Sequence, residues 1–266
     1  MIPLIPIGQY MAGSSYLHRR DPRAKFIGTV IFLFLVFLAN TPLALGIVAG
    51  AVLLGILVSG IPISYIFRSL KPVLWLLILT AFIQVLTLKK GELLLTIGPL
   101  SIYEGGVKEG VFITVRVTLL MISASLLTLT TSPIRLTDGL ENLFSPLKPF
   151  RFPAHEIALM ISISLRFIPT LWEEADRIKK AQMSRGANFS TGPLQKRLNH
   201  ILSLIVPLFV QSFKRAEEMA LAMEARGYRG GEGRTRYRRL EWRLGDTLFL
   251  VIILLIGGII LATRYL

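Results

Sequence analysis

The sequence predicts an all-α integral membrane protein of about five transmembrane helices plus a cytoplasmic domain of three helices. Two of those three are long and end in the same Xaa-Arg-Gly motif. Three observations carry this expectation. The 266 residues are 53% hydrophobic yet hold 30 Lys+Arg against 16 Asp+Glu, a net charge of +14. That pairing suits a membrane protein with a cationic inner surface better than a soluble nucleic-acid binder. Several nearly uncharged apolar runs reach the roughly 17–25 residues that a helix needs to cross a bilayer core. Between them, residues 132–243 are amphipathic and contain an internal repeat.

The chain opens "MIPLIPIGQYMAGSSYLHRRDPRAKF", which lacks the order of basic region, apolar core and cleavage site that marks a removable signal. Residues 1–131 read as an N-terminal membrane region of four spans. Phe26–Ala39 is apolar but short, so it tilts, thins the bilayer or leans on snorkelling Arg23 and Lys25. Leu43–Phe67 and Pro72–Leu88 carry no charge, and Val111–Ser132 carries only Arg116, six residues into the span. That arginine either has a functional partner or snorkels to the interface. "GELLLTIGPLSIYEGG" predicts a small external hairpin near 91–105 about a Gly98-Pro99 turn. Gly46 and Gly50 form a Gly-x-x-x-Gly step that permits close helix approach, either within the chain or against a membrane partner. Residues 244–266 hold the final span, Thr247–Thr263.

In residues 132–243 helices are expected near 134–148, 153–187 and 194–227. The apolar runs Ile157–Leu165 and Ile201–Phe213 are too short to span, so they predict interfacial or cytoplasmic amphipathic helices. Placing the N-terminus and this domain inside leaves only Lys89, Lys90, Lys108 and Arg264 outside, as the excess of cytoplasmic Lys and Arg requires. The run "RGYRGGEGRTRYRR" beside the last span reads as a contact for anionic lipid rather than RNA.

The repeat is the sharpest feature. "RFIPTLWEEADRIKKAQMSRGA" and "LIVPLFVQSFKRAEEMALAMEARGY" each run from a proline through a Glu-Glu pair to small-Arg-Gly, with Arg185 and Arg226 forty-one residues apart. Phe213, Ala216, Ala220, Met223 and Gly227 fall on one helix face, and Leu171, Ala175 and Ile178 begin a similar stripe. Gly186 and Gly227 stop the helices, because glycine takes the left-handed conformation of a C-terminal cap. Each arginine is then either a cap for its own helix or an anchor held out for a carboxylate in a partner's groove.

On these residues the chain resembles the transmembrane T component of energy-coupling-factor (ECF) transporters. The resemblance covers nearly the whole chain, through "SSYLHRRDPRAK", "TTSPIRLTDGLENLFSPLK" and the motifs Ser184-Arg185-Gly186 and Ala225-Arg226-Gly227. It implies that the two long helices are coupling helices docking on two ABC-type ATPases, with Met183 and Met223 beside the anchors. It further implies a membrane-embedded S component that binds a vitamin or transition metal, for which Gly46 and Gly50 are candidate contacts. His18, Asp21, Pro22 and Arg23 become the family's N-terminal motif; the residues alone allow Asp21-Arg23 either to orient the first helix or to anchor topology. Ser184 stands where the family commonly has Ala.

The chain contains no cysteine, and its three histidines are scattered. Neither a phosphate-binding G-x-x-x-x-G-K-[ST] nor a G-x-S-x-G nucleophile motif is present. No enzyme activity and no cofactor bound by this chain are expected; ATP and Mg would sit on the partner ATPases. The rival readings are a stand-alone permease binding its own substrate and, further off, a lipid transferase. The expected location is the cell membrane, multi-pass, with lipids as partners and no nucleic acid.

Overall fold

The computed structural model describes residues 10–97, 100–150, 152–189, 193–230 and 240–263. In chain order these form α1 (Pro22–Leu38), α2 (Pro42–Ser59), α3 (Ile63–Thr87), β1 (Leu93–Ile97), β2 (Leu100–Tyr103), α4 (Glu104–Thr130), α5 (Pro133–Phe144), a 3-10 turn (Ser145–Phe150), α6 (Ala154–Ser184), α7 (Leu194–Ala225) and α8 (Leu244–Ala262). Two compact units result, one within residues 10–139 and 240–263 and the other within 140–230. The Gly98-Pro99 turn, residues 231–239 of the basic run and Arg264 lie outside the described residues.

Local chemistry explains the helix starts. Asp21 accepts from the Arg23 N–H at 2.8 Å and Pro22 supplies the first turn of α1; Thr41 and Pro42 do the same for α2. Among the described residues the membrane-capable helices number five, as expected, but their membership differs. α2, α3, α4, α6 and α8 are long and apolar enough to cross a membrane, while α1, with 17 residues, falls just short of that length; for α6, which ends at the first Xaa-Arg-Gly motif, this is a matter of length and composition alone. The apolar run of α6 continues past Arg166 through Phe167-Ile168-Pro169, which lengthens the short segment the sequence suggested.

Two boundaries also move. The second span was expected to run to Phe67, yet α2 ends at Gly60, left-handed at φ 64°, and α3 begins after Pro62 and runs on through Pro72. Charges at Arg68 and Lys71 govern how deep a helix sits, whereas the glycine and proline decide where it stops. α4 starts at Glu104 rather than Val111, which puts Arg116 near the middle of the helix. There Arg116 has partners within the chain: its Nη2 donates to Ala39 O at 2.6 Å and Asn40 Oδ1 at 3.0 Å, closing the end of α1, and its guanidinium lies over Phe112.

The core of the first unit joins Leu35 and Val36 of α1, Val48 and Val52 of α2, Leu119 of α4, and Ile253 and Ile260 of α8. Close approach uses glycines other than those the sequence singled out. A Cβ at Gly257 would lie 2.8 Å from Leu35, and one at Gly106 would lie 2.9 Å from the Val85 carbonyl. Among the described residues nothing lies within 4 Å of a Cβ at Gly46 or Gly50, so no described helix packs closely on that pair. A Gly-x-x-x-Gly spacing states that approach is possible, and only the neighbouring helix decides whether it happens. The strands β1 and β2 pair antiparallel, with Ile97 opposite Leu100.

Candidate functional site: two helix tips

α6 and α7 pack against each other in the second unit. Arg215 Nη2 sits 3.7 Å from Glu174 Oε2, its guanidinium faces Phe167, and His200 Nδ1 is 2.7 Å from Asn188 O. Because Asn188 meets His200 while Glu174 meets Arg215, the helices run antiparallel over this stretch. Arg185 is therefore level with about residue 203 of α7, and Arg226 lies about 23 residues further on. At 1.5 Å per residue the tips are on the order of 35 Å apart along the hairpin.

Each tip is built the same way. At the end of α6, the Gly186 N–H donates to Met183 O (3.0 Å) and the Ala187 N–H to Gln182 O (3.0 Å). At the end of α7, the Gly227 N–H donates to Glu224 O (2.8 Å) and the Tyr228 N–H to Met223 O (3.0 Å). Both are Schellman caps, in which the chain reverses through a left-handed residue and recovers two orphaned carbonyls. Gly186 has φ 86° and Gly227 φ 72°, and a Cβ on either would meet nothing within 4 Å. The glycines are present for conformation and not for room.

The bonds of each cap are made by backbone N–H groups, so neither arginine side chain takes part in them. Arg185 and Arg226 are exposed, and among the described residues neither guanidinium has a hydrogen-bond or ion-pair partner. Both cations therefore stand beside the negative end of a helix dipole with their forks unoccupied. Ser184 Oγ turns back to Lys180 O (3.1 Å), Ala225 is exposed, and of the flanking methionines Met183 is 54% exposed while Met223 is half-buried.

The two apolar stripes part company. Leu171, Ala175 and Ile178 of α6 are half-buried, whereas Phe213, Ala216 and Ala220 of α7 are exposed. The inner face of α7 is instead Ser212, Arg215, Met219 and Met223, one step around the helix. The outward face continues through Ile205, Phe209 and Phe213, each about half exposed or more, with the two phenylalanine rings edge to face at 4.7 Å.

In the first unit, Asp21 serves as helix cap and ion partner at once. Its Oδ1 accepts from Arg23 N and Nε, and its Oδ2 lies 3.0 Å from Arg23 Nη2. His18 is buried, with Nε2 donating to Met11 O (3.0 Å) and Nδ1 paired to Ser15 Oγ (2.7 Å). The structure brings a further residue to this motif, Asp246, 225 positions from Asp21 in sequence, whose Oδ1 accepts from the Asp21 N–H at 3.1 Å. Its signal in the sequence was a lone carboxylate at the edge of the most apolar span. The Glu174–Arg215 pair had a signal too, since the forty-one-residue repeat places these opposite charges at equivalent positions.

Among the described residues there is no group of three or more His, Cys, Asp or Glu able to hold a metal. The sequence profile of the cobalt transport protein family CbiQ matches residues 13–237. The energy-coupling factor transporter transmembrane protein EcfT of Bacillus subtilis (strain 168) is 46% identical over 265 residues, covering 99% of this chain and 100% of that protein. The proteins of the same description from Brevibacillus brevis and Streptococcus thermophilus are 49% and 42% identical, covering 96% of this chain in each case and 97% and 96% of theirs.

Proposed function

The chain belongs to the cobalt transport protein family CbiQ and is a multi-pass membrane component of an energy-coupling factor transporter, and from that premise we propose that it is the coupling subunit between an ATPase pair and a substrate-binding S component. Arg185 and Arg226 are the anchors, each entering a groove on one ABC-type ATPase and meeting a carboxylate there. The observation that carries this reading is the pair of identical caps that each hold out an unpartnered arginine. A separation on the order of 35 Å suits two ATPase subunits better than one site, and exposed Met183 offers adaptable apolar contact beside its anchor.

ATP and Mg belong to those ATPases, and this chain supplies no catalysis. Closure of the ATPase pair moves the tips relative to each other, and the motion passes to the spans that hold the S component. ATP shifts that equilibrium only as far as it favours the closed pair. The open Gly46/Gly50 face of α2 is the surface on which an S component would seat. Cargo is a vitamin or transition-metal ion chosen by the S component, and the N-terminus and the hairpin face the cytoplasm. The rival permease reading needs polar groups lining the spans, which offer little beyond Arg116, Gln84 and a few Ser and Thr, and Arg116 Nη2 is already engaged by Ala39 O and Asn40.

The absence of cysteine makes a direct test clean. In the assembled complex, Asn188→Cys and Arg229→Cys, each three residues beyond an anchor, are expected to crosslink to the ATPases through a short bifunctional thiol-amine reagent. Crosslinks from neither position, with the complex intact, sink the anchor assignment.

A further inference from the structure

Residues 20–25 sit where the chain twice passes between the span-bearing unit and the hairpin. On the outgoing passage, the buried Lys25 Nζ donates to Thr130 O (3.0 Å) and Thr131 Oγ1 (3.1 Å) at the end of α4. Gly139, the last residue of that unit before the hairpin, lies against Pro22: a Cβ there would be 3.1 Å from the proline's own. On the return passage, Arg23 Nη2 donates to Leu240 O (3.2 Å), and its guanidinium faces the Trp242 ring. Asp246 then ties the start of α8 to the same point. Its Oδ2 accepts from the Arg243 N–H (2.9 Å), its Oδ1 accepts from the Asp21 N–H (3.1 Å), and Arg20 Nη1 approaches it at 3.7 Å. A side chain at Gly245 would collide with Arg20.

Two physical points separate this network from ordinary packing. Asp21, Lys25 and Asp246 are 5%, 3% and 2% exposed, and burying charge is costly enough that apolar residues of like volume often stabilise a fold as well or better. Its chief partners are backbone groups: Thr130 O, Leu240 O, and the N–H groups of Asp21 and Arg243. The bonds therefore fix the course of the chain at both passages rather than merely filling space.

We propose that this ion network is a positioning device for transport: it bolts both connections of the hairpin to one point on α1, so that motion at the tips is delivered to the spans and not absorbed in the linkers. Lys25, Arg23 and Asp246 are its positioning residues. The inference rests on the coupling role proposed above.

The test uses the complete complex with its ATPases and ATP-vanadate as the trapping probe. Spin-label pairs are placed at Lys179→Cys with Leu221→Cys in the hairpin, and at Leu57→Cys with Leu255→Cys in the spans, all exposed positions. In the wild-type background both pairs are expected to change distance on trapping. In Lys25→Met, Arg23→Gln and Asp246→Asn the hairpin change is expected to persist while the span change shrinks about threefold or more. A span change equal to wild type in all three variants overturns the proposal. So does loss of the hairpin change in all three, which assigns the network to assembly alone. A wild-type hairpin that does not respond to trapping, by contrast, overturns the coupling role itself.

Discussion

Arg23 and Arg226 carry the same guanidinium fork in opposite circumstances. Arg23 is engaged by the Asp21 carboxylate, the Leu240 carbonyl and the Trp242 ring. Arg226 stands exposed past the end of a thirty-two-residue helix whose Met223 and Glu224 carbonyls already accept from backbone N–H groups. The difference separates two uses of arginine in this chain: Arg23 holds the molecule's own parts together, whereas Arg226, among the described residues, contributes nothing to the chain's own packing and is the one proposed above to meet a partner.

The contrast breaks most visibly at Asp246. Asp246→Ala leaves the Asp21 and Arg243 N–H groups and Arg20 without their acceptor, and is expected to destabilise by on the order of 3–5 kcal/mol. Thermal unfolding in detergent reads this directly. Arg226→Ala, lacking any internal partner, is expected to shift stability by no more than about 0.5 kcal/mol. Equal effects from the two substitutions would erase the distinction.

A smaller effect sharpens it. Gly186→Ala and Gly227→Ala introduce no clash but force a left-handed alanine, which costs about 1–2 kcal/mol. Hydrogen exchange is expected to speed up in the last turn of α6 or α7, with the global unfolding midpoint nearly unchanged. Slower or unaltered exchange at both ends would show that the tips do not depend on their caps.

Where the sequence read true, the chemistry was local. Glycine after small-Arg implied a left-handed stop, and α6 and α7 end within a residue of each motif arginine. Asp21 and Arg23 were expected either to orient the first helix or to anchor topology, and Asp21 caps α1, which begins at Pro22, four residues before the apolar run at Phe26. Where it misled, the deciding neighbour lay far off in sequence. Gly46 and Gly50 have the spacing of close packing, yet the helices approach through Gly257, which meets Leu35 of α1. The partners of Arg116, Ala39 and Asn40, lie 77 and 76 residues away and give no sign of that role in the sequence. The α7 stripe was visible as a periodicity, but its direction depended on which face α6 took.

The central claim is that the two tips grip the ATPases, and the most direct measurement is the affinity of the purified chain for its ATPase pair. Arg185→Glu and Arg226→Glu are each expected to weaken binding by about 30-fold or more, the effect of losing a buried charged anchor of about 2 kcal/mol. The double reversal is expected to leave no stable complex, while the chain itself unfolds at the wild-type temperature. An unchanged affinity in the double variant would contradict the account.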